Sequence, residues 1–270
     1  MIIQHNMSAA NTNRQLGITR GNLAKASEKL SSGYKINRAG DDAAGLSISE
    51  KMRGQIRGLN AASKNAQDGI SLIQTAEGAL NETHAMLQRM RELAVQSAND
   101  TNVDADRQSI QDEVNQLNTE ITRIATDTEF NTMVLMDGNF SDKKFHIGAN
   151  ENQTMDVSIS DMTASGLGVE GLDVTSQDAA EGAITTANTA LETVSSQRSF
   201  LGAVQNRLEH TIANADNTSE NLQAAESRIR DVDMAKEMVT YSKDSILQQA
   251  AQSMLAQANQ STRGVLSLLQ

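Results

Sequence analysis

The sequence predicts a mainly α protein: a long antiparallel helical bundle or coiled-coil rod with a small β-hairpin region and termini that pair as a helical coiled coil. Three observations carry this. The 270 residues contain no proline, which would remove amide donors and clash with the preceding helical turn. Aromatic residues make up only 2% of the chain, although compact cores draw on them for much of their buried area. Apolar residues recur at heptad spacing over long stretches, as in a helix that lays one stripe against a neighbour. Alanine, leucine, isoleucine and methionine must then fill the core, and such side chains suit a slender rod.

The first segment, 1–43, repeats Ile2, Ala9, Leu16, Leu23 and Leu30 every seven residues. It is expected to pair with the last, 231–270, where Leu247, Ala251, Met254, Ala258 and Val265 follow helical spacing. Both stripes are diluted by Asn, Gln, Ser and Thr. Alone, each buries too little apolar area to offset roughly 1–2 kcal/mol per residue of backbone ordering. Both ends are therefore expected to be disordered in the monomer and to fold in an assembly.

Segment 44–137 reads as rod helices. Met52, Leu59, Ala66, Ile73, Leu80, Leu87 and Ala94 stand a heptad apart, with Ile56 and Ile70 in the intermediate rows. After a break at "SANDTNVDAD", Ile110, Val114, Leu117, Ile121 and Ile124 show the 4-3-4-3 spacing of a coiled-coil seam. Segment 178–230 is the return helix, with Ala187, Val194, Leu201, Leu208, Ala215, Leu222 and Ile229. At ~1.5 Å per residue the two longer helices would each extend about 60–70 Å. Neither buries its stripe alone, so three helices are expected side by side.

Segment 138–177 differs. "KKFHIGANENQTMDVSIS" alternates apolar and polar residues around "GANENQ", which predicts a β-hairpin. The Gly-rich "ASGLGVEGLDVTSQDAAEG" behind it is expected to be short and surface-exposed.

Composition excludes several function classes. Without cysteine there are no disulfides, thiol nucleophiles or cysteine-ligated metals. The net charge is −11, with ten Lys/Arg against four Asp/Glu in residues 1–64. That basic arm lacks interleaved aromatics, and it suits acidic partner helices better than nucleic acid. The start, "MIIQHNMSAANTNRQLG", lacks the basic-then-apolar run of a secretory signal, and no apolar stretch suggests membrane insertion. The sequence reads as soluble and cytoplasmic unless export uses no cleaved signal.

Candidate chemistry falls away on inspection. "LSSGYKINRAGDDAAGLSIS" lacks phosphate-loop spacing, follows a helix, and sets two repelling aspartates side by side. It reads as an ordered hinge. Gly33 caps the first helix, Gly40 and Gly45 turn the chain, Asp41 or Asp42 caps the next helix, and Arg38 holds a carboxylate. "DTNVDADRQSIQ" mimics a calcium loop, but Ala105 stands where glycine is needed and Gln111 where a bidentate glutamate belongs. It reads as an Asx-rich turn. The histidines at 5, 84, 146 and 210 are scattered, with no metal-ligand spacing. No active site and no cofactor are expected.

The two ends resemble the bacterial flagellins. The likeness rests on "INRAGDDAAGLSISEKMRGQIRGL", "ASKNAQDGISLIQTAEGAL" and "ETHAMLQRMRELAVQSAN" on one side. On the other stand "SSQRSFLGAVQNRLEHTIAN", "NLQAAESRIRDVDMAKEM" and "QAAQSMLAQANQSTRGVLSLL". It covers roughly residues 1–140 and 188–270. The middle, where the family varies, is short here, which implies that a large outer domain is absent.

The resemblance implies a structural subunit that self-polymerises into the extracellular flagellar filament for motility. It implies export unfolded through the flagellar type III apparatus, with a chaperone holding the C-terminal segment. The filament cap and hook-junction proteins are further implied partners. The terminal stripes, with Leu16, Leu23, Leu30, Leu247, Met254 and Val265, would drive polymerisation. Asp231, Asp233 and Glu237 are available to pair with the basic arm. The motif "LQRMRELAVQ" is similar to the contact helix of flagellins sensed by the mammalian Toll-like receptor, which singles out Arg89, Leu93 and Glu113. A hook–filament junction protein and a cytoplasmic coiled-coil scaffold are the competing readings.

Overall fold

A computed structural model of the chain describes residues 5–267, with side chains through residue 261. Five helices dominate: α1 (Met7–Ser32), α2 (Ala43–Ser97), α3 (Asp104–Asp127), α4 (Gln177–Arg230) and α5 (Met234–Ser267). Between α3 and α4 lie four short strands, β1 (Glu129–Phe130), β2 (Met133–Val134), β3 (Lys143–His146) and β4 (Thr154–Val157). The chain forms two compact units, Met1–Gly54 with Asn221–Gln270, and Gln55–Glu220. The divisions fall inside α2 and α4.

Side-chain oxygens set the helix starts, because the first amides of a helix have no intrahelical acceptor. The Asn6 side chain accepts from the Ala9 amide at 3.0 Å, Asp42 from Gly45 at 2.9 Å, and Asp233 from Lys236 at 3.1 Å. The Asp106 carboxylate accepts the Val103 amide at the head of α3, and the Ser176 hydroxyl accepts from Ala179 at the head of α4. With no proline to interrupt them, α2 runs 55 residues and α4 runs 54. Each therefore spans about 80 Å at ~1.5 Å per residue, longer than the heptad positions alone imply. In α2 the helix continues N-terminally through Gly45, Gly54 and Gly58.

The larger unit has one apolar core. Ala66, Ile73, Leu80, Leu87 and Ala94 of α2 are fully buried, as are Val114 and Ile121 of α3 and Val194, Leu201 and Leu208 of α4. On α3 the buried face is Ile110, Val114, Asn118, Ile121 and Ala125, so Asn118 occupies a core position beside half-buried Leu117. Leu135, Met136, Phe140, Val157, Ile159 and Met162 extend the same core into the segment after α3.

The predicted hairpin is present: β3 and β4 pair antiparallel, Lys143 opposite Val157 and His146 opposite Thr154. Its loop lies on α2, where a Cβ on Gly58 would come within 2.9 Å of the Ala149 side chain. Asn65 also donates to the His146 carbonyl at 3.1 Å. The Gly-rich segment differs from its expectation. Leu167, Val169, Leu172 and Val174 are buried, while Gly168 and Gly171 take positive φ and turn the chain between them. Gln111 holds this segment in place, donating to the Leu172 carbonyl at 2.8 Å and accepting the Val174 amide at 2.7 Å. The residue that stood at the twelfth position of a calcium-like loop is thus a bracket for the 172–174 segment.

α1 and α5 are helices that pack on each other, their backbones coming within 8 Å. Small residues permit that approach. The sheltered face of α1 is Ala9, Thr12, Leu16, Thr19, Leu23, Ala26 and Leu30, and that of α5 is Tyr241, Asp244, Gln248, Ala251, Leu255 and Ala258. Both follow heptad steps. The pair is antiparallel, since Asn6 donates to the Ala258 carbonyl at 3.0 Å while Lys29 lies 4.0 Å from Glu237 at the other end.

Candidate functional site

Three features of the chain carry possible function: the hinge, the free faces of the terminal helices, and an arginine network on α2.

At the hinge, Gly33 closes α1 in the left-handed conformation, φ 75°, with its amide bonded to the Lys29 carbonyl. This is the usual glycine end of a helix. Asp41 and Asp42 divide the turn between them. Asp41 accepts the Arg38 amide at 3.0 Å and the Asn37 amide at 3.2 Å, whereas Asp42 caps α2. The two backbone hydrogen bonds, from Arg38 above all, hold the Asp41 carboxyl below its ordinary value of 3.8. Arg38 reaches back to Glu28 at 3.0 Å. Gly40 lies in the exposed turn. Gly45 does not turn the chain: it stands in the first turn of α2, where a Cβ would run into the Asp42 carboxylate and the Ile36 side chain. Its role is to let the cap close.

The hinge segment is clasped to the start of α5. The Lys35 amide donates to the Arg230 carbonyl at 2.7 Å and the Val232 amide to the Gly33 carbonyl at 3.0 Å, flanking an antiparallel bridge between Tyr34 and Asp231. The Arg230 guanidinium sits 4.6 Å from the centre of the Tyr34 ring. Sequence reasoning missed this clasp. A weak signal existed: one of only two tyrosines directly follows the helix-capping glycine.

The predicted polymerisation stripes separate into two groups. Leu16 is buried and Leu23 and Leu30 are half-buried, all on the face of α1 that meets α5. Leu247 and Met254 are exposed instead, because the seam of α5 runs one register over, through Asp244, Gln248, Ala251 and Leu255. Val265 lies outside the residues whose side chains are described. At 3.6 residues per turn, exposed Val239 and Ile246 lie opposite the seam, Leu247 and Met254 on one flank, and Met234 and Met238 on the other. α5 thus exposes large apolar side chains opposite its seam and on both flanks, while α1 covers the seam itself.

On α2, Arg89 donates to Glu113 of α3 at 2.9 Å and to Glu92 at 3.3 Å. The side chains of Arg89 and Glu113 are about half exposed, at 49% and 45%. Leu93 is only 2% exposed and sits in the core. Its side chain packs inward, whereas Arg89 and Glu113 lie at the surface.

Comparison with known proteins decides the family. Residues 3–141 match the bacterial flagellin N-terminal helical region, and residues 184–269 match the bacterial flagellin C-terminal helical region. The chain belongs to the bacterial flagellin family. It is 57% identical to a flagellin of Halalkalibacterium halodurans over 271 residues, covering the whole of both chains. It is 54% identical to a flagellin of Bacillus subtilis, again over the whole of both. A flagellar filament 33 kDa core protein of Treponema phagedenis is 53% identical over the full length of each. Among solved structures, Bacillus cereus flagellin aligns at 32% identity with a TM-score of 0.52, covering 56% of this chain and 88% of that one. A hook-associated protein structure from Vibrio parahaemolyticus shares the fold at 14% identity and a TM-score of 0.59. As a flagellin, the chain is a structural subunit of the flagellar filament. No helix among the described residues is long and apolar enough to cross a membrane.

Proposed function

We propose that the chain self-polymerises by covering the free faces of α1 and α5 with those of neighbouring copies. The observation that carries this is the set of exposed apolar side chains on α5: Val239 and Ile246 opposite its seam with α1, and Met234, Met238, Leu247 and Met254 on the flanks. Each exposed Val, Ile, Leu or Met side chain gains about 1.5–3 kcal/mol when fully removed from water. Val239, 70% exposed, and Ile246, 66% exposed, stand to gain most. A polar seam with Asp244, Gln248 and Thr19 leaves the helix pair weakly held until neighbours add their apolar surface. Order in these ends is then coupled to assembly.

The same reading assigns export in an unfolded state through the flagellar type III apparatus without a cleaved signal. It assigns a chaperone that shields the C-terminal segment beforehand, and growth beneath a filament cap from a hook-junction protein. In animal hosts, Arg89 and Glu113 form the surface through which the Toll-like flagellin receptor senses the subunit.

The test of assembly is the double variant Val239→Asp/Ile246→Asp. It should keep the wild-type helix content of the 55–220 unit and fail to extend sheared filament seeds. Extension at the wild-type rate would refute the proposed surface.

A further inference from the structure

The methionines of the described residues differ widely in exposure, with Met52 and Met86 half-buried. In the larger unit Met90, Met136 and Met162 are sealed and Met155 is 5% exposed. Among the described residues, the exposed methionines are Met7, Met234, Met238 and Met254 on the terminal helices, together with Met133 of β2. The chain has no cysteine and no tryptophan, so these thioethers are its most readily oxidised side chains. Four of the five lie on the helices whose free faces assembly would cover.

We propose that Met7, Met234, Met238 and Met254 form a peroxide-sensitive set whose oxidation blocks incorporation of the subunit. In each case the sulfur takes one oxygen atom from hydrogen peroxide: an S–O bond forms, the O–O bond breaks, and water leaves. The thioether loses two electrons and the peroxide gains them, so the step balances with no further reactant. A flexible apolar side chain becomes a polar sulfoxide, which resists burial where no donor awaits it. Reversal needs a methionine sulfoxide reductase and a thiol reductant. Once the subunit is built in, the same sulfurs are covered and protected, so the sensitivity belongs to the free subunit. This inference rests on the assembly reading above.

The experiment treats monomers with hydrogen peroxide, quenches with catalase, maps sulfoxides by peptide mass spectrometry, and measures the critical concentration for growth on seeds. The account predicts a rise of about tenfold or more, given the loss of apolar contact at four positions. Treatment with sulfoxide reductases and dithiothreitol should restore growth. Measured against its own untreated growth, the variant M7L/M234L/M238L/M254L should lose the peroxide response, while M133L should remain as sensitive as the wild type. Unimpaired growth of wild type carrying sulfoxide at all four positions would overturn the proposal, as would a quadruple variant as sensitive as wild type. Footprinting gives a test without substitutions: in filaments the four should oxidise several-fold more slowly than in monomers, and equal rates would overturn it. Untreated wild-type monomers that never extend seeds would instead overturn the assembly reading itself.

Discussion

Arg230 stacks on Tyr34, its guanidinium 4.6 Å from the ring centre, and the Nε and Nη1 atoms are buried without a hydrogen-bond partner among the described residues. The pair sits over the bridge of Tyr34 and Asp231, where the segment leaving α1 crosses the segment entering α5. It fixes the register in which the two terminal helices meet.

Replacing Tyr34 with leucine removes the ring quadrupole and keeps an apolar side chain. A cation–π contact of this partly buried kind is worth about 0.5–2 kcal/mol. Amide hydrogen exchange should accelerate across α1 and α5 by a few-fold to about thirtyfold, the exponential of that loss. The core of the 55–220 unit should exchange as before. Uniform acceleration across both units would contradict the local role given to the pair.

Asn118 poses the opposite case. It is buried in the core face of α3, and neither its side-chain nitrogen nor its oxygen has a partner among the described residues. An unpaired buried polar group costs about 1–3 kcal/mol. Asn118→Leu should therefore stabilise the larger unit by about 1–2 kcal/mol. The thermal midpoint should rise by roughly 2–8 °C for a unit of this size. A fall in the midpoint would show that the amide is satisfied in solution.

The hinge carboxylate gives a pH signature. Asp41 has a folded-state pKa below 3.8, through the Arg38 and Asn37 amides. A depressed carboxylate contributes its stability in full above the unfolded value and loses it as pH falls through the folded one. Asp41→Asn should accordingly weaken protection of the hinge amides at pH 7. The difference from wild type should vanish below the folded-state pKa, under pH 3.8. A difference that persists unchanged in strong acid would assign the effect to something other than charge.

Arg89→Ala should weaken signalling through the Toll-like flagellin receptor. Its partners Glu92 and Glu113 are exposed, and exposed pairs contribute about 0–1 kcal/mol, so the fold should tolerate the change. Unchanged signalling at unchanged stability would remove the assignment. Leu93→Ala makes the comparison informative: Leu93 is sealed in the core, so that change should cost about 2–5 kcal/mol of stability first.

Much of this architecture is legible in the chain itself, because heptad rows state both the helix and its buried face. Leu80, Leu87 and Leu201 are core residues for the reason that made them visible. The features that sequence reasoning missed depend on meetings between distant segments. The tyrosine after the helix-capping glycine marks position 34 but does not name Arg230 as its partner, and nothing near Gln111 announces the 172–174 segment it brackets. On α5 the strongest apolar stripe misled: Leu247 and Met254 mark a free face, while the seam with α1 runs through Asp244, Gln248 and Ala251. Periodicity shows that a face is apolar. It does not show whether that face meets its own chain or another.

Electron microscopy of heat-dissociated subunits, cooled and mixed with sheared seeds, tests the central claim most directly. Ammonium sulfate would favour burial further. Self-polymerisation through the terminal helices predicts long tubular filaments that elongate from the seeds. Subunits that stay monomeric under these conditions, with seeds unextended, would contradict it and favour a junction protein that joins a filament without building one.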